Sequence, residues 1–249
     1  MTAEPQPTAG QRYLREVARL VDRLTAEEWP SIDRAADLVA DALAREGTIH
    51  VFGTGHSHML AEELFYRAGG LVRVRPILFE GLMLHAGAEL STSLERLPGL
   101  GAALLADHPI AGDDILIAAS NSGGNAVVRE LAQAVREGGT PVIAIVSRQH
   151  AASRSARESG TRNLRDIADV VVDNGGSVGD AAIDIPGFDR TVGPTSTAVG
   201  AAVINAIVVE AIERLVGRGV QPEVFMSSNV AGGDEANAGL LDGDDRARR

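Results

Sequence analysis

AASNSGGNAVVREL, residues 118–131, runs from an apolar strand through a turn of serines, glycines and asparagines into an amphipathic helix. The strand is the end of the run from Asp114 to Ala119, and the helix is expected over 125–137. Four similar apolar runs lie along the chain, at 48–52, 72–78, 141–146 and 169–172, each ending in turn chemistry. Helical stretches at 57–68 and 97–105 fall between them, and 151–168 reads as only partly helical. Strand alternating with helix predicts parallel βαβ units, and right-handed crossovers then give an open, doubly wound five-stranded α/β sheet.

Two helices precede the first strand. Leu14, Val17, Ala18, Val21 and Leu24 recur at helical spacing, as do Ile32, Ala35, Ala36, Val39, Ala40 and Leu43. They carry more apolar face than one sheet layer requires, which points to a homo-oligomer. A long helix from Ser196 to about Val216 closes the domain. Residues 1–10 read as flexible, and the tail from 221 is polar, its end DGDDRARR reading as disordered. One domain is expected over 1–249, with its core at about 30–220.

Hydrophobic residues make up 45% of the 249 residues and aromatics only 3%, so the core is aliphatic, as suits parallel strands under helices. A net charge of −11 repels nucleic acid and anionic lipid, and few aromatics means few stacking platforms for bases. The chain has no cysteine, hence no disulfide, thiolate nucleophile or thiolate metal site. The start MTAEPQPTAGQ has no signal-peptide pattern, and no apolar run approaches the ~20 residues of a membrane span. These readings place the chain in the cytoplasm, with neither membrane nor nucleic acid as partner.

In such sheets a ligand sits beyond the carboxyl ends of the strands, at the topological switch point. Three loops have suitable chemistry. GTGHSH carries Gly53 and Gly55, which let backbone approach a ligand, Ser57, which is placed to cap the next helix, and His56 and His58 as proton relays. It lacks the third glycine of a dinucleotide fingerprint, and no GK[ST] signals a P-loop. SNSGGN offers Ser120, Asn121, Ser122 and the amides around Gly123 at a helix N-terminus, a means of holding a phosphate monoester; the plain alternative is a capping turn. GPTSTA opens the last helix with Thr195, Ser196 and Thr197, where capping alone needs one hydroxyl. Glu62 and Glu63 flank the apolar stripe of the helix after the first loop, and Glu80 and His85 lie in the loop after the second strand. No HExxH or comparable spacing indicates a metal, and no cofactor is expected.

The SNSG turn after a strand, paired with a Ser/Thr cluster opening a later helix, resembles the SIS (sugar isomerase) family over roughly residues 30–220. GHSHMLAEELFYRAGG is similar to the phosphoheptose isomerase branch, with a Ser-His followed by Ala-Glu-Glu-Leu. The Ser-His lies about one helical turn nearer the glutamates here, a four-residue change that keeps the helix face. The resemblance implies a flavodoxin-like sheet, Ser/Thr loops around a phosphate, and active sites shared between subunits. It implies a base, Glu62 or Glu63, that takes the C2 proton of an open-chain aldose or N-acetylhexosamine 6-phosphate. Isomerisation or elimination at C3 would follow. A non-catalytic phosphosugar sensor is the rival reading.

Overall fold

The computed structural model describes residues 6–110, 112–153 and 162–247. Parts of three sequence readings lie outside these residues: the flexible start before residue 6, the partly helical stretch at 154–161, and the last two residues.

The five apolar runs form one parallel sheet of β1 (Ile49–Gly53), β2 (Val74–Ile77), β3 (Ile115–Ala119), β4 (Val142–Val146) and β5 (Val170–Asp173), in the order β2-β1-β3-β4-β5. Strands β1, β3 and β4 are buried along their whole length. Their side chains alternate between two cores. Ile49, Val51, Ile115, Ile117 and Ile143 face helices α1 (Ala9–Arg23), α2 (Trp29–Ala44), α3 (His58–Leu64) and α9 (Ser196–Gly217). Phe52, Leu116, Ala118 and Val142 face the side of α5 (Leu100–Asp107), α6 (Ala126–Glu137) and α8 (Leu164–Ile167). Each fully buried Leu, Ile or Val contributes roughly 1.5–3 kcal/mol, so the two-sided sheet is the main source of stability.

The chain direction across the sheet reverses between β1 and β3. In that pair Gly53 lies opposite Ala119, so the loops beginning at Thr54 and Ser120 leave the sheet side by side. That crevice is the switch point at which open α/β sheets bind ligands.

Both N-terminal helices pack on the chain's own sheet through Leu20, Leu24, Ile32 and Val39. They join through a π-helical turn, Leu24–Glu28, and Pro30 starts α2 where its missing N–H is no loss. Arg23 fastens this joint, donating to the Asp173 carbonyl at 2.7 Å and pairing with its carboxylate at 3.2 Å.

Several elements depart from the sequence reading. Helix α3 stops at Leu64, not near Ala68, because Phe65 turns extended and Tyr66 takes φ +45°. The chain beyond pairs with the C-terminal segment instead: Gly69 donates to Phe225 O at 2.8 Å and Phe225 to Gly70 O at 2.9 Å. The polar tail is therefore tied to the domain. It continues into α10 (Gly233–Ala247), which takes in the start of the DGDDRARR end that reads as disordered. Asn237 of that helix clamps Met226, accepting from its N–H at 2.9 Å and donating to its carbonyl at 2.8 Å. Helix α4 (Ala88–Leu94), the short α7 (Arg148–Ala152) and the hairpin of β6 (Ala181–Ile183) with β7 (Val192–Pro194) complete the fold. No helix among the described residues is long and apolar enough to cross a membrane.

Candidate functional site

The loop after β1 folds back on itself. A Cβ on Gly53 would meet the Ser57 carbonyl at 2.5 Å, so a side chain there would block the turn. Ser57 N–H donates to Thr54 O at 3.0 Å, and Thr54 Oγ1 donates to Glu95 Oε2 at 2.8 Å, bracing the loop from the far side. Ser57 makes no capping bond to α3, contrary to the expectation, and its side chain borders a cleft instead. The same turn holds Gly55 at φ +56° and leaves His56 exposed.

The turn after β3 is held from beneath. Gly123 sits at φ +62°, and its carbonyl accepts from Leu164 N–H at 2.9 Å. Asn163, buried, donates to the Ser122 carbonyl at 2.9 Å. Ser120 Oγ accepts from Gly123 N–H at 3.1 Å. These bonds leave Ser120 and Asn121 bordering the same cleft as Ser57. Asn174, at the end of β5, donates from Nδ2 to Asn121 Oδ1 at 3.0 Å. Asn121 Nδ2 is then a buried donor with no partner among the described residues. Such a group calls for an acceptor.

The fourth side of the cleft is the start of α9, with Ser196 and Thr197. Leu60 and Ile145 supply apolar lining. Thr195 is buried beneath the helix end, not in the cleft. A carboxylate holds this helix end: Asp180 Oδ1 accepts from the amides of Thr195 at 3.2 Å and Ser196 at 2.9 Å, and Oδ2 accepts from the Ser196 hydroxyl.

Four separate segments thus bring Ser57, Ser120, Asn121, Asn174, Ser196 and Thr197 to one cleft at the β1/β3 switch point. Gly53, Gly55 and Gly123 shape the backbone around it. Ser122 lies in the turn without bordering the cleft, its Oγ 3.5 Å from Gly124 N.

The acid–base candidates separate on α3. Glu63 is committed on both oxygens: Oε1 accepts from Asn205 Nδ2 on α9 at 2.8 Å, and Oε2 pairs with Arg67. Glu62 is half exposed, with Oε1 3.7 Å from His58 Nε2. His58 is buried, and its Nδ1 lies against the Gly55 carbonyl. A carbonyl only accepts, so the proton belongs on Nδ1, and in the neutral ring Nε2 carries the lone pair on the Glu62 side. The His85 ring lies 6.4 Å from that of His58, edge to face. Glu80 is exposed at the start of its 3-10 turn. Among the described residues no three His, Asp or Glu side chains gather closely enough to hold a metal ion.

Sequence reasoning missed Asn174 and Asp180. The signal was present in NGGSVGD, residues 174–180, a polar glycine-rich stretch directly after a strand.

The description SIS domain matches residues 12–147. A UPF0309 protein of Listeria innocua is 42% identical over 230 residues, covering 92% of this chain and 93% of its own length. One from Brucella canis is 42% identical over 235 residues, covering 93% and 94%. Among solved structures, phosphoheptose isomerase from Neisseria gonorrhoeae is similar with a TM-score of 0.51 at 17% identity, over 80% of this chain and 93% of that one. The Vibrio vulnificus NanR protein, complexed with ManNAc-6P, is similar with a TM-score of 0.52 at 16% identity, over 86% and 66%.

Proposed function

This chain belongs to the SIS domain family, and we propose that it is a phosphosugar enzyme that removes the C2 proton of an aldose or N-acetylhexosamine 6-phosphate. The observation that carries this reading is the convergence of hydroxyls and a partnerless Asn121 amide from three segments on one cleft at the sheet's switch point. Neutral donors beside helix N-termini suit a phosphate on a chain whose net charge is −11.

Glu62 is the proposed base. Its neighbour Glu63 is tied to Asn205 and Arg67, whereas Glu62 faces the lone pair of His58. Glu62 takes the proton from C2, and the electron pair of that C–H bond forms a C1–C2 double bond while the carbonyl pair moves onto O1. This gives an enediolate from an aldose phosphate and an acetamido enolate from an N-acetylhexosamine phosphate. Return of a proton to C1 gives a ketose. Loss of the C3 substituent gives an unsaturated sugar. Assembly as a homo-oligomer belongs to the same reading, supported by the exposed Leu14 on α1 and Val209 and Val216 on α9.

The test is exchange of the C2 hydrogen in deuterated water, read by mass spectrometry over hexose, heptose and N-acetylhexosamine 6-phosphates. Glu62→Gln is expected to bind the sugar phosphate yet lose at least ~10²-fold in exchange, the usual scale of general-base catalysis. Glu63→Gln is expected to exchange within a few-fold of wild type. Wild-type exchange by Glu62→Gln would move the base elsewhere. Binding without any wild-type exchange would favour a sensor over an enzyme.

A further inference from the structure

The start of helix α9 carries an anion that is one of the chain's own side chains. Asp180 accepts from two backbone amides and a hydroxyl there, the donor set that the GPTST turn would offer a phosphate. Its backbone lies at φ +60°, in the left-handed region uncommon for a residue with a side chain.

The loop that presents Asp180 has two unlike halves. Its first half is anchored: Gly176 N–H donates to Asn174 Oδ1 at 2.9 Å, and Ser147 Oγ donates to the Gly176 carbonyl. Its second half bonds to itself, Asp180 N–H to Ser177 O at 3.0 Å and Ser177 Oγ to Ala181 O at 2.8 Å. Val178 and Gly179 are exposed, and Gly175 and Gly179 both have positive φ. This turn reaches α9 through the Asp180 carboxylate. Ser196, which that carboxylate holds, borders the cleft together with Asn121, whose Nδ2 lacks a partner.

We propose that Asp180 is a specificity-determining residue of the cleft: a ligand anion must displace its carboxylate from α9, which a phosphate monoester does and a ligand carboxylate does not. A tethered carboxylate competes at an effective concentration in the millimolar range or above. A ligand carboxylate brings the same single charge and two acceptor oxygens, and gains nothing by the exchange. A phosphate monoester brings three acceptor oxygens and a charge of about −1.5 to −2 near neutral pH, and gains on both counts. Displacement frees the turn at 177–180. The proposal rests on the phosphosugar reading above and adds the basis of its anion selection.

The experiment combines calorimetry with amide hydrogen exchange on the full chain. Inorganic phosphate, glucose 6-phosphate and glucuronate are titrated into wild type and Asp180→Asn. Phosphate is expected to bind wild type and to accelerate exchange at residues 177–181, while glucuronate does not bind. Asp180→Asn is expected to bind phosphate about tenfold tighter and to bind glucuronate measurably. The wild-type exchange arm stands whether or not the variant folds. Phosphate binding that leaves exchange at 177–181 unchanged or slower overturns the proposal and leaves the phosphosugar reading intact. So does a folded Asp180→Asn that binds phosphate no tighter than wild type. A wild type that binds neither phosphate nor any hexose, heptose or N-acetylhexosamine 6-phosphate overturns both.

Discussion

The two ends of the central sheet solve the same problem with different chemistry. At the N-terminal ends of the strands, carboxylates satisfy the starting amides: Asp114 Oδ1 accepts from Thr48 N–H and Asp169 Oδ2 from Val142 N–H, each at 2.9 Å. Arg136 completes that bracing, its Nε 2.9 Å from Asp169 Oδ1. At the C-terminal ends, hydroxyls and amides gather, and Asn121 keeps a buried donor without a partner. A cavity lined by Thr48, His50, Arg75 and Asp114 opens at the first end as well, so the two ends differ in the groups they present and not in access. On the phosphosugar reading, binding belongs to the C-terminal ends and bracing to the N-terminal ends, and substitutions should sort accordingly.

Ser120→Ala should give the largest effect on this contrast. It removes a cleft hydroxyl that also receives Gly123 N–H. A hydrogen bond to a charged group is worth roughly 1.5–3 kcal/mol, so phosphosugar affinity should fall by about one to two decades in calorimetry. Stability should fall as well, by about 1–3 kcal/mol at most, because the buried Gly123 N–H loses its acceptor. Unchanged affinity would place the phosphate outside the SNSGG turn.

Asp169→Ala should lower stability and leave binding alone. It leaves the fully buried Val142 without its amide acceptor, which costs about 1–3 kcal/mol in denaturant unfolding. The Arg136 pair is half exposed on the arginine side and adds little. Ligand affinity should stay within a factor of about two, and a large loss would break the division between the ends.

The smallest effect is expected from His50, which is buried on β1 with Nε2 3.4 Å from Asp114 Oδ2. Burial pushes its pKa below the ordinary 6.5, and Asp114 offsets this only in part. Above pH 6.5 the ring is neutral in folded and unfolded chains alike. As pH falls below 6.5 the unfolded chain takes up the proton first, so stability declines until the lower folded pKa is passed. His50→Gln should flatten the stability profile over that interval, and an unaltered profile would remove His50 from the account.

Strands β3 and β4 were legible as uninterrupted aliphatic runs and the others as apolar runs bounded by turn residues. Ser57 and Ser120 were legible because their polar turns follow such runs, and Ser196 and Thr197 because they cluster at the opening of the last helix. What stayed hidden depends on contacts remote in sequence. Helix α3 ends early because residues 69–72 pair with residues 223–225, which no local pattern announces. Glu62 and Glu63 are adjacent, and the contact that ties up Glu63 alone comes from Asn205, 142 residues further along the chain. Asp180 lies 15 residues from the Thr195 amide that it accepts from, across a hairpin of two three-residue strands too short to read as such.

The central claim is that a phosphosugar binds at the C-terminal ends of the strands. Amide chemical shifts followed during titration with hexose and N-acetylhexosamine 6-phosphates test it directly. The account predicts saturable shifts at residues 54–57, 120–125, 174–180 and 195–197, with Thr48 and Val142 unmoved. Shifts confined to the opposite end of the sheet, or none with any sugar phosphate, would contradict it.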